Sequence, residues 1–72
     1  MDKTRREVLD IYADKIIEIL LKKSLNNRQF QKALNGIFDT KIPLYAVRSA
    51  LCAMRQHTEL RQLIYLYSAK QY

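Results

Sequence analysis

Apolar residues recur along most of this chain at intervals of three and four, the spacing that lines one side of an α-helix rather than the alternation of a strand. Between Thr4 and about Lys23 the recurring set is Leu9, Tyr12, Ala13, Ile16, Ile19 and Leu20, while Arg5, Arg6, Asp10, Asp14 and Lys22 fall mostly elsewhere. Thr4 and Glu7 have capping-box spacing, in which a hydroxyl and a carboxylate each satisfy a free amide of the first turn, so a first helix is expected to start there. Val8, Ile11, Ile17 and Leu21 widen its apolar side beyond what one side of a small core can cover. Surplus apolar surface points to self-association or a partner helix, and these four residues are the expected interface of a homodimer.

The stretch "SLNNRQ" interrupts the pattern, because Ser24, Asn26 and Asn27 favour turns and caps over helix interiors. Asn27 is the expected N-cap of a short second helix, Arg28 to about Asn35, which buries Phe30, Ala33 and Leu34. Gly36 then suits the left-handed conformation that often ends a helix. Ile37 and Phe38 add to the core beside Asp39 and Thr40, which are turn and cap residues. Pro43 lacks an amide hydrogen and fits the first turn of a third helix, starting near Lys41 to Pro43 and running to about residue 56.

In that third helix Leu44, Val47, Leu51 and Met54 form one stripe, with Ala50 at its edge, and this stripe is expected to be core. The opposite side collects Tyr45, Arg48, Ser49, Cys52 and Arg55, with Lys41 at its entrance, and contains no carboxylate. A face that serves solvation alone usually mixes charge signs. A helix laid on nucleic acid instead needs cations for phosphates and donors for base edges. The last segment, "HTELRQLIYLYSAKQY", reads either as a fourth helix capped by Thr58 or as a strand over Leu63 to Tyr67; the absence of turn signals favours the helix. The predicted fold is therefore all-α, a small bundle of three to four helices, and its length suits one domain over residues 1–72.

Charge sharpens the choice of partner. Thirteen Lys and Arg against seven Asp and Glu give a formal charge of +6. Such a field concentrates polyanions: nucleic acid, acidic protein surfaces or anionic lipid. The longest apolar stretch, "IIEILL", is broken by Glu18 and far too short for a bilayer, so a soluble, cytoplasmic protein without a membrane partner is expected. Cys52 is alone and reads as a small apolar residue in a reducing compartment. His57, a polar residue at a helix end, lies five positions on and makes no dyad with it. With no phosphate loop, no metal-ligand set and no paired carboxylates in an apolar run, neither enzyme chemistry, a cofactor nor a metal is expected.

The order of elements, a longer helix, a short helix, a turn and a basic amphipathic helix, resembles the tri-helical core of the helix-turn-helix superfamily, including its winged branch. The phrase "QFQKALNGIFDTKIPLYAVRSALCAMRQHTELRQLIYLY" carries the likeness, over roughly Asn27 to Tyr67. The resemblance implies a recognition role for Tyr45, Arg48, Ser49 and Arg55. Two function classes follow. The first is a small basic regulatory protein that binds nucleic acid, duplex DNA above all, with Arg28, Lys32 and Lys41 gripping phosphates beside the third helix. The alternative is a helical interaction module that binds an acidic or apolar patch on another protein.

Overall fold

The computed structural model describes residues 5–69, which run through four helices: α1, Arg5–Lys22; α2, Asn27–Phe38; α3, Leu44–Cys52; and α4, Gln56–Ala69. The expected all-α bundle is the observed fold, and the C-terminal segment takes its helical form. Helix α4 is central. It packs on α1 and α3 and more lightly on α2, while α2 also lies on α3. The core draws Ala13, Ile17 and Leu20 from α1, Phe30 and Leu34 from α2, Ile42 from the linker, Ala46, Val47 and Ala50 from α3, and Leu60 and Ile64 from α4.

The buried side of α1 is shifted from the one the apolar spacing selects, although Ala13 and Leu20 are buried as expected. Ile17 is fully buried and Ile16 half-buried, whereas Tyr12 and Ile19 are exposed. The helix is turned by about 60° from the expected rotation, taking roughly 100° per residue. In this rotation Arg61 on α4 reaches Asp14 at 2.9 Å and Asp10 at 3.9 Å, so the acidic edge of α1 lies against α4 while Ile17 and Leu21 turn inward. Ile17 and Leu21 therefore belong to the packed interior and not to a partner surface, while Val8 and Ile11 remain outside, each 54% exposed. Tyr12, though exposed, sets its ring edge-on to Phe38, with centroids 5.8 Å apart. Thr4, the expected cap, lies outside the described residues.

Helix α2 starts one residue earlier than expected and ends three later. Asn26 is the N-cap: its side chain accepts from the Gln29 amide at 2.8 Å, and its own amide donates to the Gln29 side chain at 3.1 Å, a complete capping box. The helix passes straight through Gly36, which has no positive φ. The left-handed residue is Asp39, φ 50° and ψ 53°, and the Thr40 amide then donates to the Asn35 carbonyl at 3.2 Å. That is a Schellman-type ending with aspartate where glycine is commoner.

The third helix is shorter than expected, ending at Cys52 where the apolar period suggests about residue 56. Its apolar period runs on through Met54, but Ala53 is extended (φ −75°, ψ 148°), and the Gln56 side chain donates to the Leu51 carbonyl at 2.6 Å, closing the end of α3. Met54 consequently sits in the turn and is fully exposed rather than core. Helix α4 begins two residues before Thr58, with the Glu59 amide donating to the Arg55 carbonyl at 3.0 Å.

Candidate nucleic-acid interface

Helix α3 is short, and its rotation is fixed from inside. Ala46, Val47 and Ala50 are buried and Leu44 and Leu51 half-buried, so the opposite side must carry Tyr45, Arg48, Ser49 and Cys52, all of which are exposed. Cys52 is thus an exposed free thiol, not the buried small residue its type suggests. Residues three and four apart are neighbours on a helix surface, so Arg48 and Ser49 stand beside Tyr45. Arg55 is exposed too, but it belongs to the turn after α3 and leaves the face the continuous helix would have given it.

The linker gathers a second basic group along α2. Ile42 is buried and held on both sides: its amide donates to the Asn35 side chain at 2.9 Å, and its carbonyl accepts from the Gln31 side chain at 2.9 Å. These bonds lay the linker along the Gln31–Asn35 edge of α2. On a helix of 3.6 residues per turn, Arg28 and Lys32 border that edge. Lys41, next to Ile42, is thereby brought to the side of α2 that carries Arg28 and Lys32, and all three are exposed. Among the described residues none of Arg28, Lys32, Lys41, Arg48 or Arg55 enters an ion pair.

Two features of the site lie beyond what the periodicity shows. Tyr67, near the end of α4, packs half-buried against the core beside Tyr45. Hydrogen bonding with Tyr45 first, then partial burial and the nearness of the Tyr45 phenol, raise its pKa above the ordinary 10.0. The other feature was legible but easily overlooked. Residues 22–55 hold seven of the thirteen basic residues and a single acid, Asp39, whereas residues 1–21 hold five of the seven acids. The net charge therefore resides in α2, α3 and their flanking turns, although basic residues are spread along the whole chain.

A second exposed surface lies on α1, where Val8, Ile11 and Ile19 stand on the side away from the core. Among the described residues no cluster of His, Cys, Asp or Glu is arranged to hold a metal ion, and no helix is long and apolar enough to cross a membrane. No known family model, curated protein or solved structure matches the chain.

Proposed function

We propose that this chain is a small basic regulatory protein that binds nucleic acid through the outward face of α3, Tyr45, Arg48 and Ser49, flanked by Arg28, Lys32 and Lys41. The observation that carries the reading is the segregation of charge: seven basic residues against one acid between residues 22 and 55, with the cations of the site exposed and unpaired. A polyanion satisfies such a surface by releasing its counterions. The resemblance of the element order to the helix-turn-helix superfamily supports a recognition role for α3, and the lone exposed Cys52 suits a reducing, cytoplasmic setting. The test is a titration of labelled oligonucleotides over a range of salt. Binding should weaken steeply with salt, and Arg48→Ala or Lys32→Ala should flatten the slope by about 0.7 to 0.9 for each lost phosphate contact. Absence of binding at about 100 mM salt would overturn the reading.

A second reading is favoured by Val8, Ile11 and Ile19: a protein contact on the outer side of α1, with a second copy of the chain as occupant. Two-fold antiparallel pairing centred near Lys15 sets Ile11 of one copy against Ile19 of the other, and Glu7 opposite Lys22 and Lys23, at the cost of Lys15 facing its counterpart. Light scattering should then give a dimer mass that Ile11→Lys reduces to that of a monomer. A monomer mass for the unaltered chain at tens of micromolar would remove this contact and leave the basic face untouched.

A further inference from the structure

Tyr45 is 73% exposed, an unusual place for a ring that would gain by being covered. Tyr67 of α4, whose ring packs against the core, lies beside it, while the Tyr45 ring itself stays uncovered. Arg48 and Ser49 flank it one turn further along α3, and α3 carries no carboxylate to repel a phosphate. A duplex satisfies cations through its phosphates but keeps its bases stacked on one another, which leaves a protruding ring with little to cover it. An unpaired base has a free π-face and covers an aromatic ring regardless of sequence.

Resting on the basic-face reading, we infer that Tyr45 is a stacking platform and that the ligand of this face is single-stranded nucleic acid. One unpaired base lies on the Tyr45 ring, and the neighbouring phosphates lie against Arg48 and the cations of α2 and the linker. The ring, and not the hydroxyl, provides the contact.

The experiment compares three oligonucleotides of one sequence, single-stranded DNA, single-stranded RNA and duplex DNA, against the unaltered chain, Tyr45→Phe, Tyr45→Leu and Arg48→Ala. A thermal melt of each variant confirms folding, which the exposure of both side chains should preserve. The expected result is tighter binding of the single strands than of the duplex, with affinity kept by Tyr45→Phe and lowered at least about five-fold by Tyr45→Leu for the single strands alone. RNA bound more tightly than DNA would support the inference and assign a contact to the 2′-hydroxyl; equal binding would support it with the sugar unread. Duplex bound as tightly as single strand, or Tyr45→Leu without effect, would overturn the inference. If binding in that case still fell with salt and with Arg48→Ala, the basic-face reading would stand. No binding of any of the three would overturn both.

Discussion

Replacing Gly36 by alanine tests the placement of the α2 ending, because the two candidate conformations of this residue predict opposite signs. In the structure Gly36 is helical, two residues before the last residue of α2, and a methyl group added there meets nothing within 4 Å. Alanine then loses less backbone entropy on folding and gains helix propensity, together about 0.5 to 1 kcal/mol of added stability. For a domain of this size that is a rise in Tm of about 2 to 8 °C. Had Gly36 been the left-handed residue, the added Cβ would clash with the following carbonyl and cost about 1 to 2 kcal/mol. A melt followed by circular dichroism decides the sign, and a shifted urea midpoint with unchanged slope confirms a change in stability at constant exposed surface. A lowered Tm for Gly36→Ala would refute the helix ending described here. The complementary change is Asp39→Gly. It relieves a left-handed aspartate and removes a negative charge from the carbonyl end of a helix, so both effects should raise stability.

Other perturbations probe the packing and the site. Ile17→Ala or Leu34→Ala, both at fully buried positions, should cost about 2 to 5 kcal/mol in chemical denaturation, against less than about 0.5 kcal/mol for Met54→Ala in its exposed turn. A double-mutant cycle on Arg61→Ala and Asp14→Ala should give a coupling of about 0.5 to 1 kcal/mol, the modest value expected of a partly solvated pair, and a coupling of zero would mean that the pair does not hold the rotation of α1. In a tyrosinate absorbance titration Tyr67 should ionise above the ordinary 10.0 and return toward it in Tyr45→Phe. Its raised pKa means that the folded chain keeps this proton to higher pH than the unfolded chain. The associated stability is thus complete below about pH 10 and lost as pH rises through the folded value.

The helices were legible because three- and four-residue spacing survives in every one of them, and the outward face of α3 was legible because its inward residues leave it no other place. Where the reading slipped, the deciding contact was either distant or had no residue type to announce it. The rotation of α1 could not be read from α1, since apolar residues occupy most of its circumference and several stripes compete. The stripe that is buried is the one that leaves Asp14 within reach of Arg61, 47 residues further along the chain. The break between α3 and α4 carries neither glycine nor proline, the usual marks of a turn, and the Gln56 side chain reaches back across it to the Leu51 carbonyl. Gly36 misled in the opposite sense, because a residue permitted a left-handed conformation need not adopt one.

The basic surface divides along the same line. Each cation could be placed outside from the core positions next to it, one helix at a time. Bringing Lys41 to the Arg28 and Lys32 side of α2 depends instead on Ile42, an apolar linker residue locked by two side-chain amides. Alanine at Gln31 or Asn35 removes no charge, yet it would free the linker that positions Lys41. If the surface works as a unit, Asn35→Ala should weaken binding of an oligonucleotide while leaving the formal charge at +6. A binding curve unchanged by Asn35→Ala, in a variant whose melt shows it folded, would mean that the cations act as independent points of charge and that the architecture of the linker is irrelevant to them.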